Sequence, residues 1–354
     1  MVPRFSRVRL VAAPFIWNEC AADAITVGQY RAGVLPYMPI LMALRAALAW
    51  LGRQGTRALA VSVFLGLALP QLAAYVKPYL GETVFVLLLF SYLRTEPTAF
   101  IRYVRAPKLT IVAALWVMVV VPLLFGVGYT ALGLREGMPA LYTILILQIA
   151  TTPITSSAAF AALMGLDVAF SLVTLIVTNA MSPITTVAFS YLFLGSALFS
   201  PVELGIKLFL FFALSGAIAY AIRRIAGWQW LERQKEPLDG LNVVAVFIFA
   251  IAAMESVPRN VAADPVFAIE LFVLVILVSL LLIGLSVLIF ARAGLDRSVP
   301  IALLSAFRNI GLVMATLGSS LPDLAWFYFA MAQFPIYLLP ALLHPLAKRL
   351  RRKS

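Results

Sequence analysis

From Leu271 to Phe290 the chain runs for twenty residues without a charged side chain. An α-helix of that length rises about 30 Å, which is the thickness of a bilayer's hydrocarbon core. Apolar runs of roughly 15 to 25 residues recur along the sequence, and each needs a solvent other than water. Composition agrees: 63% of the 354 residues are hydrophobic, 12% are charged, and the mean hydropathy is +1.01. A membrane β-barrel needs short segments of alternating polarity, which runs such as 271–290 lack. The expected fold is an all-α, polytopic integral membrane protein, with the lipid bilayer as its first partner.

Spans are expected at residues 58–75, 79–93, 109–134, 138–164, 168–198, 204–222, 241–254, 266–291, 299–317 and 324–346. That makes ten, the second and seventh short. The net charge of +12 is spread in small clusters between these runs, which fits topology better than nucleic-acid binding. One set of alternate loops collects Arg45, Arg53, Arg57, Arg94, Arg102, Arg105, Lys108, Arg223, Arg224, Arg233, Lys235, Arg292, Arg297, Lys348, Arg349, Arg351, Arg352 and Lys353. The other has Lys77, Arg135, Lys207 and Arg259. Eighteen against four predicts that both termini lie in the cytoplasm, in a bacterial inner (plasma) membrane.

Residues 1–50 read as an N-terminal extension. Arg4, Arg7, Arg9, Arg31 and the only cysteine, Cys20, fall in an irregular stretch with no signal-peptide pattern. Met38 or Met42 starts a better sequence, an amphipathic lead-in to the first span, so the expectation is a later true start or a surface helix. A lone cysteine leaves no internal disulfide and no thiol metal site. Beyond the extension, residues 56–198 and 201–346 form two halves and 347–354 a basic tail.

Residues 147–159, LQIATTPITSSAA, place Thr151, Thr152, Thr155, Ser156, Ser157 and Pro153 inside an apolar run. Pro153 removes a helical donor and breaks the fourth span. In the ninth span the sequence Ser305-Ala306-Phe307-Arg308-Asn309 interrupts another apolar run. Backbone that leaves the helix at membrane depth survives only when buried in protein or lining a cavity. Five spans per half invert the second half relative to the first, so two broken helices meet near the midplane, the arrangement from which many secondary transporters build their site.

TTPITSSAAF, the Gly165-Leu166-Asp167 hinge, TNAMSPIT in the fifth span and SAFRNIGLVMA in the ninth, taken in this order, resemble the bile acid:sodium symporter superfamily. The likeness covers about residues 41–346. It implies ten transmembrane helices in two inverted five-helix repeats with helices 4 and 9 crossing, and a secondary transporter of a small organic anion, often sodium-coupled. It also implies sodium ligands at Ser156, Ser157 and Ser171, with Ala158 or Ala159 where relatives often have asparagine. Sodium-coupled relatives typically carry a glutamate one helical turn before the position of Arg308. Leu304 stands there, so the expectation is sodium coupling reduced to one ion or lost, leaving a proton-linked or uncoupled anion carrier.

The residues also speak without the likeness. Arg308 is the only basic side chain that these spans place deep in the membrane, where an arginine costs about 2.5–3.5 kcal/mol. It reads either as the fixed charge that binds a carboxylate or sulfonate, or as a strut bonding carbonyls of the first break. Asn309 joins it as a substrate-facing candidate, with Thr151, Thr152, Gln148, Gln333 and Asn179. Ser171, Thr174, Thr178, Ser182 and Thr185 draw a hydroxyl stripe down the fifth span, which lines a cavity or simply packs and bonds its own carbonyls. Asp167 is placed as an N-cap, and His344 sits at an interface beside Pro345. No nucleophile with an oriented base and no metal cluster is evident, so an enzyme is not expected, nor is any organic cofactor. A channel lacks the ring-like filter motifs it would need.

Overall fold

The computed structural model describes residues 38–94, 107–196 and 199–351. Arg4, Arg7, Arg9, Cys20, Arg31, Arg102, Arg105, Arg352 and Lys353 lie outside the described residues, as do the side chains of Arg53, Arg57, His344, Lys348, Arg349 and Arg351. The chain divides into a unit of Met1–Ala47 and a unit of Leu48–Ser354. In the first, the described residues are the start of helix α1, Met38–Ala68. The second holds everything that follows.

Its first helices are α2, Pro70–Val76, a 3-10 turn at Lys77–Tyr79, and α3, Leu80–Leu93. Next come α4, Lys108–Leu115, a π-helical stretch at Trp116–Val120, and α5, Val121–Ala131. A short α6, Leu134–Gly137, leads to α7, Pro139–Ala150, and, after a break, to α8, Ser157–Leu163, and α9, Val168–Leu194. The chain continues through α10, Pro201–Ala226; α11, Trp228–Arg233; α12, Lys235–Ala253; α13, Val257–Ala263; and α14, Pro265–Ile289. Helices α15, Leu295–Ala306, and α16, Ile310–Leu317, flank a second break, and α17, Asp323–Arg351, ends the description.

No strand element occurs among the described residues; six helical segments are long and apolar enough to cross a bilayer: Pro70–Leu93, Lys108–Ala131, Val168–Leu194, Pro201–Ala226, Lys235–Ala263 and Pro265–Ile289. This is an all-α, membrane-embedded architecture. Both breaks fall where the polar residues interrupt the apolar runs. The start of the second span does not match its sequence expectation at residue 79. Pro78 does not end the helix, because it sits in the first turn of a 3-10 segment that joins α2 to α3, and α12 packs along all of it. The expected second span is therefore a 24-residue segment, Pro70–Leu93.

Lipid-facing and protein-facing helices differ as the bilayer demands. In α14 the apolar side chains of Val266, Ile269, Val273, Leu277, Leu281 and Leu288 are exposed along one side. In α7 every residue from Leu141 to Ala150 is buried. A helix apolar all round and buried all round sits inside the protein, so the first broken helix is wrapped by its neighbours. Those include α5, α9 and α17, while α15 packs on α14, α9 and α8.

Helix starts recur at a nearly constant interval. Leu80 and Lys235 are 155 residues apart, Lys108 and Pro265 157, Pro139 and Leu295 156, and Val168 and Asp323 155. Packing follows the same correspondence: α9 contacts α4 and α15, and α17 contacts α14 and α7.

Candidate functional site

The two breaks lie against each other and complete each other's backbone. Pro153 and Arg308 form an antiparallel bridge, an isolated ladder rung between segments that are otherwise helical. Ile154 N donates to Phe307 O at 2.8 Å, and Asn309 N donates to Thr152 O at 2.7 Å. Each helix ends because its next donor is lost or turned away, and the freed groups find partners across the crossing rather than in lipid.

The census of the first break is almost closed. Thr151 N still reaches Leu147 O, and Ser157 N reaches Ile154 O as α8 begins. Ala150 O accepts from Thr186 Oγ1 at 2.9 Å, Asn309 O from Thr151 Oγ1 at 3.3 Å, and Pro153 O from Thr152 Oγ1 at 3.2 Å. Thr151 and Thr152 are thus repair groups in this state. Ser156 and Ser157 are different: their buried Oγ atoms have no hydrogen-bond partner, and neither does that of Ser171 in the first turn of α9, the helix packed on α8. Buried hydroxyls without partners are uncommon and costly.

Arg308 is 1% exposed, the largest of the fully buried side chains. Its Nε donates to Ser305 O at 2.8 Å, Nη1 to Thr151 O at 3.0 Å and Nη2 to Val117 O at 2.8 Å, with Met118 Sδ 4.0 Å from Nη1. Among the described residues no carboxylate pairs with it. These hydrogen bonds are those of the strut reading, and one of them reaches the first break at Thr151 O. Asn309 caps α16, its Oδ1 accepting from Leu312 N at 3.2 Å.

The remaining candidates are scattered around this centre. Gln148 Oε1 accepts from the Tyr328 hydroxyl, which ties α7 to α17. Gln333 Nε2 bonds Phe329 O in its own helix and leaves Oε1 buried and unpaired. Asn179 donates weakly to the Tyr92 hydroxyl at 3.5 Å, and its Oδ1 is unpaired. The hydroxyl stripe of α9 mostly serves its own helix: Thr174, Thr178 and Thr185 bond carbonyls three or four residues back, and Ser182 pairs with Thr186. Asp167 caps α9 through Phe170 N at 2.9 Å, and Gly165 makes the preceding turn at φ +66°. Among the described residues no cluster of His, Cys, Asp or Glu could hold a metal ion.

Sequence reasoning missed Val117, Tyr328 and Ser298. Pro122, in mid-span, signals the irregular helix that frees the carbonyl of Val117, and a tyrosine inside an apolar run signals a buried partner. Ser298, on α15 with its Oγ buried and unpaired, carries no sequence signal. No family model matches the chain, and no curated protein matches it.

Proposed function

We propose that the protein is a secondary transporter of a small organic anion, working by alternating access at the crossing of its two broken helices. The observation that carries this reading is the Pro153–Arg308 bridge: two interrupted helices meet and gather polar backbone at one place inside an apolar body. The constant 155–157-residue interval between helix starts and the reciprocal packing of α9 and α17 support ten spans in two inverted five-helix repeats. The loop charge bias supports cytoplasmic termini in a bacterial inner membrane.

The choice of an anion rests on charge. Arg308 donates to Thr151 O and Ser305 O, carbonyls at the C-terminal ends of α7 and α15, and so offsets the negative poles of those two half-helices. The N-terminal end of α16, capped by Asn309, brings a positive pole to the crossing, along with the guanidinium's own charge. A carboxylate or sulfonate completes that balance.

Ser156, Ser157 and Ser171 have the neutral, unpaired oxygens that a hard monovalent cation takes, so one sodium ion fits this donor set. When bound it would supply a second positive charge beside the crossing. A chain with Arg308 already in place has less need of it, which favours either one-ion coupling or an uncoupled carrier. Thermal unfolding of the purified protein with taurocholate, benzoate and pyruvate, each against its neutral amide, tests the reading. A saturable rise with at least one anion is expected. A panel in which only neutral or cationic solutes shift the curve would defeat it.

A further inference from the structure

Three carbonyl oxygens from three separate segments converge on one guanidinium, and each is free for its own reason. Between Trp116 and Val120 the helix switches to π geometry, so Val121 N bonds Trp116 O instead of Val117 O. The next residue that could serve Val117 O is Pro122, which has no N–H. Ser305 O would ordinarily accept from Asn309 N, but that N–H goes to Thr152 O across the crossing. Thr151 O lies beyond the end of α7, where the chain has turned extended at ψ 170°. Left alone, these three oxygens form a buried cluster of partial negative charge, which is the environment that replaces a cation's hydration shell in protein interiors.

We propose that this cluster is a monovalent-cation site that the protein fills with its own side chain: Arg308 is a tethered cation. The donors reach Val117 O, Thr151 O and Ser305 O at 2.8–3.0 Å, and among the described residues no carboxylate pairs with the guanidinium. The cage stands on these hydrogen bonds alone. Its role rests on the anion-carrier reading: the co-ion that a symporter draws from solution is here covalently supplied, so the native chain binds its anion without a free cation at this position. Truncating the side chain opens the site to a free guanidinium ion.

The test is thermal unfolding of the full-length purified protein and of Arg308→Ala, titrated with millimolar guanidinium chloride against choline chloride at equal ionic strength. The unmutated protein is expected not to respond. The variant is expected to start lower and to rise saturably by at least about 3 °C with guanidinium. A flat curve for the variant overturns the proposal. If Arg308→Ala yields no folded protein, the same purification is run with guanidinium or choline throughout. Monodisperse protein recovered with guanidinium alone supports the cage, and loss in both overturns it. The anion response of the unmutated protein is read in the same assay. A flat guanidinium curve beside an intact anion response removes the tethered cation and leaves the carrier; the reverse removes the carrier and leaves the cage.

Discussion

The two helix breaks occupy matching places, 156 residues apart by the starts of α7 and α15, yet they solve the same physical problem in opposite ways. The first is broken by Pro153, is rich in hydroxyls, and keeps two buried serine oxygens, at 156 and 157, without partners. The second has no proline between Phe307 and Asn309. It is held by the side chain of Arg308, and no buried polar side-chain atom of residues 305–309 is left unpaired. One break keeps unpaired hydroxyls, and the other is closed by its own side chain. The difference between the two segments is therefore one of how each satisfies its polar groups.

Removing the filler should have the largest effect. Arg308→Leu strands three buried carbonyls, and its expected cost is about 3–5 kcal/mol, seen as a large drop in the unfolding temperature. A loss below about 1 kcal/mol would show that the carbonyls find other partners, and the contrast between the breaks would collapse.

Overpacking the start of α16 comes next. A Cβ at Gly311 would lie 2.6 Å from Phe249 Cε2, a ring that packs edge-on against Phe329 at 5.6 Å. Gly311→Ala is expected to cost about 1–3 kcal/mol, measured by the same unfolding curve. An unchanged curve would mean that the second break has slack.

Tyr328→Phe removes the donor to Gln148 and leaves a buried amide oxygen without a partner, about 1–3 kcal/mol. Because this tie shares no hydrogen-bond partner with Arg308, its cost should add to that of Arg308→Leu; strong non-additivity in a double-mutant cycle would join the two into one network.

At the first break the expected effect is smallest in the resting protein. Ser157→Ala deletes a hydroxyl with no partner, so stability without sodium should stay within about 0.5 kcal/mol or improve. Any saturable stabilisation by NaCl over choline chloride should disappear in the same variant. If Ser157→Ala costs as much as Tyr328→Phe in sodium-free buffer, the oxygen has a partner and the contrast between the breaks fails.

Much of this was legible in the chain before any coordinates. Apolar runs such as 271–290 exclude everything except helices in a bilayer, because no other local structure satisfies its own backbone there. The sites of both breaks follow from Pro153 among hydroxyls and from Arg308 among apolar residues. The capping role of Asp167 was readable from its place before an apolar run. Less legible was the helix at 70–93, since Pro78 reads as an end until its 3-10 turn and the packing of α12 along it are known.

Read residue by residue, the chain defines the solvent, the helical class and the positions at which the helices fail. These are local consequences of side-chain polarity and of proline's missing donor. Where the freed groups go is a matter of packing: Asn309 N serves Thr152 O, a π-helical stretch before Pro122 frees Val117 O, and Arg308 gives its donors to three carbonyls. Backbone oxygens are the same in every residue, so no side-chain pattern marks which of them a distant arginine will find. That choice is made by how the helices pack.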